Sequence, residues 1–308
     1  MAIVRSMLLR ASRSAWLADQ FRRRSFARRA VRKFMPGEDV DSALNASQEF
    51  ARERIGTVIT ALGERVTNRD EADSVRDHYL QLIDQIKARG LPTHVSVKLT
   101  HLGLDLDREA CLARVRALAT RAEQTGTFFW IDIEESWYVD ATLEVFRRAR
   151  ETHEKVGLCL QAYLYRTPGD VDALMPLKPA IRLVKGAYRE PAVVAFPRKR
   201  DTDEAYFQIA ERLLDAAARG AAFPVFGTHD LSLIERIRAR ASSLAVPDGG
   251  YEVHMLYGIR PSEQRALRDR GVRVRVLISY GTHWFPWYVR RLAERPANLW
   301  FVARSLVS

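Results

Sequence analysis

Two adjacent arginines near the C-terminus form the pair of residues most suited to binding chemistry. Arg290 and Arg291 fall in a short stretch, residues 287–294, that is predicted to be helical and that Pro296 ends. Arg291 and Glu294 are three positions apart, so they can meet on one face of that helix. The planar guanidinium fork suits a carboxylate or a phosphate. The stretch therefore indicates an anion site, although a solvated arginine pair on a surface helix explains the same residues.

Charged and polar side chains also recur at the ends of apolar segments along the chain. Lys98 and Asp132 lie in two successive apolar runs, where an unpaired charge is costly, so they are expected to pair. Polar residues that converge on one end of a set of strands typically mark a site, although structural ion pairs explain any single one. The full set at such ends is Glu64, Lys98, Asp132, Glu134, Glu135, Gln161, Arg182, Lys185, Tyr188, Thr228, His229, Asp230, His254, Tyr257, Tyr280 and His283.

The elements that must position these residues repeat as a short apolar run, a turn and an amphipathic stretch. Eight runs are predicted as strands, at 58–62, 94–99, 128–133, 157–162, 181–184, 223–227, 252–256 and 272–278. Helices are predicted between them at 71–88, 108–125, 139–152, 170–174, 204–219, 231–242 and 261–269. Eight alternating units in about 240 residues favour an α/β fold, a (β/α)8 barrel with parallel strands. A doubly wound open sheet is the alternative, but no Gly-x-Gly-x-x-Gly motif follows a first strand.

The first 56 residues are predicted to be a basic N-terminal helical arm, and residues 57–308 the barrel. Residues 1–36 hold ten Arg or Lys against one acid, a charge of +9 that leaves only +2 of the total +11 for the rest. Large apolar residues alternate with these cations, so one or two amphipathic helices are expected. The arm could cap the barrel, lie on an anionic membrane, or act as a targeting segment. Asp41 or Ser42 is expected to cap a further helix that runs to about residue 56.

Composition argues against several other classes. The 308 residues, 47% hydrophobic, suffice for one large domain or two small ones. The two cysteines, Cys111 and Cys159, form neither a disulfide framework nor a zinc ligand set, which fits a reducing compartment, and no metal site is expected. No apolar run is long enough to predict a transmembrane helix. Nucleic-acid binding is not expected, because the charge is confined to the arm and the body lacks stacking motifs.

Eight short motifs occur in an order and at spacings that match a known family. They are LGERVT (62–67), VSVKLTHLGL (95–104), IDIEE (131–135), LQAY (160–163), RLVKGAY (182–188), FGTH (226–229), MLYG (255–258) and YVRRLAERPAN (288–298). Through them residues 57–303 resemble the proline dehydrogenases of the monofunctional bacterial type. RLVKGAY and the Arg-Arg-x-x-Glu helix are specific in combination rather than singly. The resemblance implies a distorted (β/α)8 TIM-type barrel, in agreement with the eight runs counted independently.

A flavoenzyme is what this resemblance implies. Such enzymes hold FAD non-covalently and oxidise L-proline to Δ1-pyrroline-5-carboxylate. A hydride passes from the ring carbon beside the nitrogen to the flavin, and the electrons leave to a membrane quinone. A cytoplasmic location follows as an expectation, with the arm in peripheral contact with the inner face of the membrane. Hydride abstraction from a neutral amine needs no general base, so none is assigned.

The resemblance also assigns residues to the substrate. Lys98, Arg290 and Arg291 match the cluster that holds the substrate carboxylate, where charge-assisted hydrogen bonds would converge. Glu64 matches an acid that pairs with the arginine helix as a gate, and Asp132 an acid that would hold Lys98. The implied catalytic set is Lys98, Asp132, Arg290 and Arg291. The implied substrate pocket comprises Glu64, Lys98, Ala187, Tyr188, Leu256, Leu277, Trp287, Arg290, Arg291 and Glu294.

The cofactor residues come from the same motifs. Arg182 and Gln161 match residues at the isoalloxazine ring, where a cation stabilises the anionic reduced flavin. Lys185, Thr228 and His229 match residues that bind the FAD phosphates and ribose. The full implied cofactor set is Asp132, Gln161, Arg182, Lys185, Gly186, Ala187, Thr228, His229 and Leu256.

Four positions depart from the family pattern. Leu277 replaces a tyrosine that usually stacks on the proline ring, and Trp287 replaces a tyrosine on the arginine helix. His254 stands for a common glutamine and Asp230 for a common asparagine. Because the charged residues are retained, a carboxylate-bearing amine is the expected substrate. The changed residues of the pocket wall do not decide the size or the substituents of its ring. The alternatives are the same chemistry on a related cyclic amino acid such as hydroxyproline, or a catalytically reduced protein that binds flavin or membrane.

Overall fold

The computed structural model describes residues 31–285 and Tyr288, which form a closed barrel of eight parallel strands in chain order. The strands are β1 (Gly56–Ala61), β2 (Thr93–Lys98), β3 (Phe129–Asp132), β4 (Val156–Gln161), β5 (Ala180–Val184), β6 (Phe223–Gly227), β7 (Glu252–Leu256) and β8 (Val274–Tyr280). The α-helices of the described residues are α1 (Val40–Arg52), α2 (Arg69–Ala88), α3 (Arg108–Thr125), α4 (Val139–Arg150), α5 (Thr167–Leu174), α6 (Lys199–Ala218), α7 (Leu231–Ser243) and α8 (Pro261–Asp269). The predicted (β/α)8 fold is confirmed.

Closure of the barrel excludes the open doubly wound sheet. β1 pairs with β8 along its whole length, from Gly56 opposite Arg275 to Ala61 opposite Tyr280. Since all eight strands run in the same direction, their carboxyl ends meet at one rim, and the loops that follow them form one surface. The side chains at the last positions of the strands are therefore neighbours in space.

The helix before the barrel begins at a different cap from the predicted one. Asp39, with an extended backbone, takes the N-cap position, and its carboxylate accepts hydrogen bonds from the Ser42 backbone N at 2.7 Å and the Ser42 hydroxyl at 2.9 Å. The prediction of Asp41 or Ser42 as the cap was wrong, because Ser42 is the donor in this arrangement rather than the cap. The helix also ends at Arg52, before the predicted residue 56, since Arg54 turns to a positive φ of 58° just ahead of β1.

The helices pack on the outside of the barrel through apolar faces. Leu44 of α1, Tyr79 of α2 and Phe146 of α4 are fully buried in the large core cluster. The Tyr79 hydroxyl donates to the Ser96 carbonyl at 2.8 Å and accepts from the Ala61 N at 2.9 Å. This bond pair holds α2 against both β1 and β2, and so fixes the rim from which the first two loops leave.

Residues 31–38, the described end of the basic segment 1–36 and the two residues after it, lie against loops that follow β7 and β8. Val31 and Met35 are buried, and the Lys33 carbonyl lies directly against Gly258. The indole N of Trp284 donates to the Glu38 carboxylate at 2.8 Å. Residues 31–38 therefore pack as a cap on one side of the barrel mouth.

Both cysteines, Cys111 and Cys159, are buried and unbridged. None of the helices within the described ranges has both the length and the apolar character needed to span a lipid bilayer. The same ranges contain no group of three or more His, Cys, Asp or Glu side chains arranged to hold a metal ion.

Candidate active site

An open cavity of about 780 Å³ lies at the carboxyl ends of the strands. Its volume falls in the range usual for small-molecule and cofactor sites. Twelve residues that the sequence assigned to substrate or cofactor line it, namely Lys98, Asp132, Gln161, Arg182, Lys185, Gly186, Ala187, Tyr188, Thr228, His229, Leu256 and Leu277. Four others, Trp287, Arg290, Arg291 and Glu294, lie outside the described residues, so the anion-binding helix stays a prediction.

Lys98, at the wall of the cavity, forms an ion pair with Glu64, a predicted pocket residue that is not itself among the residues lining the cavity. Lys98 is the last residue of β2, and its ammonium contacts the carboxylate of Glu64 in the loop after β1. The two side chains are 20% and 32% exposed, so the pair is partly desolvated and stronger than one on an open surface. A cation is thereby held at the rim of the barrel, where an anionic ligand can reach it.

Asp132 does not hold Lys98, contrary to the prediction. The two residues are paired in register on β2 and β3, but the Asp132 carboxylate contacts the guanidinium of Arg182 on β5. Arg182 is 3% exposed and also donates to the Ser96 hydroxyl at 2.9 Å. A buried guanidinium requires a full counter-charge, and Asp132 supplies it, while Glu64 serves the more exposed Lys98.

Just beneath the floor of the cavity lie four buried polar atoms that have no hydrogen-bond partner among the described residues. They are Arg182 Nη1, Gln161 Oε1, His254 Nδ1 and the Ser279 hydroxyl, and all four residues line the cavity. Gln161 is oriented by its amide nitrogen, which donates to the Glu134 carbonyl at 2.7 Å. Buried polar groups are normally paired, so this cluster of donors and acceptors suits a ligand that carries both kinds of hydrogen-bonding group. The residues present therefore fit the isoalloxazine of FAD.

A second charged cluster lies at the ends of β5 and β6. The Lys185 ammonium contacts Asp203 at 2.5 Å and Asp230 at 2.9 Å. Asp230 also caps α7 through the Leu233 backbone N. Burial acts to raise the pKa of Asp230, but the hydrogen bond and the charge of Lys185 outweigh it and lower that pKa. This carboxylate is therefore ionised at the cavity wall.

Thr228 and His229 are held by the neighbouring strand end. The Leu256 backbone N donates to His229 Nε2 at 2.8 Å, so this ring carries its proton on Nδ1 when neutral. The Thr228 hydroxyl accepts from the Asp230 backbone N at 3.2 Å. Both side chains thus sit where the loop after β6 turns into α7, a helix start that favours anionic groups.

Gly186 has a structural requirement beside its predicted cofactor role. Its φ is +122°, and a Cβ there would lie 2.4 Å from the ring of Tyr163. A larger residue would therefore strain the backbone and push the Tyr163 ring away. The glycine of the RLVKGAY motif is explained by this close approach.

Sequence reasoning placed Glu134 among the polar strand ends without giving it a role, and it did not single out Glu252 or Ser279. Glu134 is 2% exposed and accepts hydrogen bonds from the Thr100 backbone N at 3.1 Å and the Thr100 hydroxyl at 2.7 Å. Burial raises the pKa of Glu134 to about 7, against the opposing charge of Lys98. Glu252 and Ser279 also lie inside the barrel, and the two-residue alternation of β7 and β8 was the signal that could have placed them there.

The sequence matches the family model for proline dehydrogenase over residues 43–304. It is 37% identical to proline dehydrogenase 1 of Bacillus subtilis strain 168 over 280 residues, which covers 91% of each chain. It is 34% identical to proline dehydrogenase 2 of the same strain over 304 residues, 99% of each chain. The proline dehydrogenase of Deinococcus radiodurans is 35% identical over 280 residues, 89% of each chain.

Solved structures agree on the fold. Proline utilization A from Bdellovibrio bacteriovorus, inactivated by N-propargylglycine, superposes with a TM-score of 0.80 at 24% identity, over 86% of this chain and 32% of that one. A variant of the Bradyrhizobium japonicum protein gives 0.74 at 25% identity, over 90% and 32%. This protein thus spans about a third of those chains. Because the family model covers most of the sequence and the Bacillus subtilis relatives align with it over 91% and 99% of each chain, the chain belongs to the proline dehydrogenase family.

Proposed function

We propose that this protein is an FAD-dependent dehydrogenase that oxidises L-proline to Δ1-pyrroline-5-carboxylate. The observation that carries the proposal is the cavity, whose floor offers unpartnered polar atoms to a planar ring and whose wall offers Lys98 to a carboxylate. Membership of the proline dehydrogenase family supports the same reaction. Bound FAD would supply the acceptor for the hydride that leaves the carbon beside the amine nitrogen.

The chain has residues suited to the isoalloxazine ring, the phosphates and the ribose of FAD. Arg182 and Gln161 would meet the ring, since each has an unpartnered polar atom at the cavity floor. Lys185, Thr228 and His229 would meet the phosphates and ribose at the start of α7, where the helix dipole adds to the attraction for anions. The buried Arg182–Asp132 pair keeps a fixed cation at the ring, which favours a reduced flavin that carries negative charge.

The substrate would be held by its carboxylate. Lys98 is one of the cations that line the cavity, and the family resemblance assigns it to the substrate carboxylate together with Arg290 and Arg291, which lie outside the described residues. Tyr188, Ala187 and Leu256 would enclose the ring, which orients the reacting carbon and excludes water. No general base is required if the amine arrives neutral.

The proposal is tested by anaerobic spectroscopy of the purified protein. A flavin absorption band that bleaches when excess L-proline is added is the expected result. The absence of a band after reconstitution with FAD would overturn the flavoenzyme. An absorption band of oxidised flavin that does not change when proline is added would support FAD as the cofactor and overturn L-proline as the substrate.

Leu277 favours a second candidate substrate, a hydroxylated proline or another cyclic amino acid. It lines the cavity where the family usually has a tyrosine, and it offers neither a ring face nor a hydroxyl. The rates of reduction with L-proline and with 4-hydroxy-L-proline, measured side by side, decide between the two. Leu277→Tyr should move the ratio of the two rates toward L-proline.

The electron acceptor is proposed to be a membrane quinone, reached through peripheral contact of a cytoplasmic protein with the membrane. The +9 charge of residues 1–36 supports contact of the arm with anionic lipid. The burial of Val31 and Met35 supports a capping role for the end of the arm. Deleting residues 1–30 leaves this cap in place, so the variant should keep its flavin and lose sedimentation with anionic vesicles. Unchanged sedimentation would overturn the membrane role of the arm.

A further inference from the structure

His254 is a polar residue of the cavity floor to which the proposed function gives no role. It lies on β7, is 4% exposed and lines the cavity. Its Nε2 is 3.1 Å from the Glu252 carboxylate, while Nδ1 has no hydrogen-bond partner among the described residues. A buried nitrogen without a hydrogen-bond partner is destabilising unless a ligand supplies that partner.

Glu252 determines which nitrogen of His254 carries the proton. The same Glu252 oxygen accepts from Arg275 Nε at 2.8 Å. Burial acts to raise the pKa of Glu252, but the bond from His254 and the charge of Arg275 outweigh it and hold that pKa well below its usual range. Burial also lowers the pKa of His254 to about 4. A neutral imidazole that faces an ionised carboxylate carries its proton on the facing nitrogen, so Nε2 is the donor and Nδ1 can only accept.

The geometry of β7 directs this acceptor toward the cavity. Glu252 precedes His254 by two residues, so both side chains point into the barrel and Glu252 lies deeper. The two nitrogens of an imidazole point in nearly opposite directions. With Nε2 directed down at Glu252, Nδ1 is directed away from that carboxylate, toward the carboxyl ends of the strands, and it lies just beneath the surface of the cavity. The edge-on ring of Trp130, with centroids 5.7 Å apart, packs against the imidazole.

An acceptor at this position selects one part of the flavin. The oxidised isoalloxazine ring carries a single N–H, on N3, between two carbonyl groups. We propose that His254 Nδ1 accepts the hydrogen bond from N3–H of the flavin, and that Glu252 is a positioning residue that holds His254 in the accepting tautomer. The inference rests on the proposed FAD site. Unpartnered donors beside it, Arg182 Nη1 and the Ser279 hydroxyl, suit the flanking carbonyls.

Cofactor binding to the apoprotein tests the inference without any turnover. The apoprotein is titrated with FAD and with FAD methylated on N3, which lacks the donor, and flavin fluorescence gives each Kd. The wild type should bind the methylated cofactor at least tenfold more weakly. His254→Leu should bind FAD more weakly than the wild type does, and its Kd values for the two cofactors should be equal. His254→Gln keeps a hydrogen-bond acceptor, so it should still bind FAD more tightly than the methylated cofactor. Ser279→Ala is the matched control from the same floor and should discriminate like the wild type.

The outcomes separate this inference from the proposed function. Equal discrimination by the wild type and His254→Leu would overturn the role of His254, as would discrimination that disappears in Ser279→Ala instead. A wild-type protein that binds neither cofactor would overturn the proposed FAD site and this inference with it. FAD binding with no discrimination in the wild type would overturn the inference alone.

The role of Glu252 has its own readout. In protein labelled with ¹⁵N-histidine, His254 Nδ1 should resonate as an unprotonated nitrogen and shift when FAD binds. Glu252→Gln offers Nε2 either a carbonyl or an amide, so both tautomers should appear and discrimination against the methylated cofactor should fall several-fold. A protonated Nδ1 in the wild type, or unchanged discrimination in Glu252→Gln, would overturn the positioning role.

Discussion

The carboxylate of Glu64 lies against the ammonium of Lys98, the cation that would receive a substrate carboxylate. A ligand carboxylate must displace Glu64 or share the lysine with it. On the proposed role of Lys98, Glu64 would compete with the substrate carboxylate for the same ammonium group, with which it is paired in this structure. This relationship makes opposite predictions for the two residues.

Glu64→Gln should strengthen the binding of a simple carboxylate, and Lys98→Met should weaken it. Cyclopentanecarboxylate is a suitable probe because it has the ring and the carboxylate of the substrate but no amine. Loss of a charge-assisted hydrogen bond, about 1.5–3 kcal/mol, predicts at least a tenfold higher inhibition constant in Lys98→Met. Glu64→Gln should lower that constant several-fold. Competitive inhibition against L-proline measures both.

Glu135→Gln is the matched control for these variants. Glu135 is the neighbouring acid on the same rim, but it pairs with Arg65 at 2.6 Å. Its replacement should leave the inhibition constant within a factor of about two. Weaker binding of the probe to Glu64→Gln than to the wild type would show that Glu64 organises Lys98 instead of competing for it.

Asp132→Asn should strongly destabilise the apoprotein. The change leaves Arg182, which is 3% exposed, without its counter-charge. Breaking a buried ion pair from one side costs about 3–5 kcal/mol, and the urea midpoint of the apoprotein should fall accordingly.

Asp203→Asn provides the comparison for that loss. Lys185 contacts both Asp203 and Asp230 and is 24% exposed, so one carboxylate remains after the change. The expected cost is about 1 kcal/mol or less. If the two variants lose equal stability, Asp132 is not the essential counter-charge of Arg182.

The architecture could be predicted from the sequence because it depends on short-range patterns. The strands β6 and β7 and the helices α3 and α8 have the bounds that alternation, turns and caps predict. The choice of ion-pair partners could not be predicted in this way. Lys98 and Asp132 are indeed register neighbours, but Asp132 pairs with Arg182 two strands away. The guanidinium of Arg182 is more deeply buried than the ammonium of Lys98, so it is more strongly destabilised without a counter-charge. That preference depends on burial, which only the closed barrel defines.

Gly258→Ala should release the described end of the arm. Gly258 has a φ of +72°, and a Cβ there would lie 1.6 Å from the Lys33 carbonyl oxygen. The oxygen belongs to the backbone, so residues 31–35 must move away from the loop. Trypsin should then cleave after Arg32 or Lys33 several-fold faster than in the wild type.

Gly271→Ala separates this clash from backbone strain. Gly271 has a similar φ of +79°, and no atom of the described residues lies within 4 Å of the position that a Cβ would take there. The variant should lose about 1–2 kcal/mol through the left-handed backbone alone and keep the wild-type cleavage rate near residue 33. Equal acceleration in both variants would contradict a specific contact between Gly258 and the arm.

Glu134 should give the protein a distinctive dependence of stability on pH. Burial raises the folded-state pKa to about 7 from an ordinary 4.5, so the folded protein retains a proton that the unfolded chain has lost between these values. The resulting stabilisation is complete below pH 4.5 and is lost as pH rises through 7. Relative to Glu134→Gln, the wild type should lose a few kcal/mol from pH 5 to pH 8, at about 1.4 kcal/mol per unit. Urea unfolding at four pH values measures this difference, and parallel profiles would contradict it.

Asp230→Asn should tighten the binding of FAD. Asp230 is an ionised carboxylate on the cavity wall beside Lys185, where the phosphates are proposed to bind, so it opposes their charge. Removing one negative charge beside the phosphates in a partly desolvated site should improve the binding free energy by about 1–2 kcal/mol, which corresponds to a roughly tenfold lower Kd. Asparagine also caps helices well, so α7 should keep its start.

Asp203→Asn is the control, because it frees Lys185 equally but removes a carboxylate on α6 beside Lys199. If both variants tighten FAD alike, the gain comes from the release of Lys185; if Asp230→Asn alone does so, repulsion between Asp230 and the phosphates is the cause.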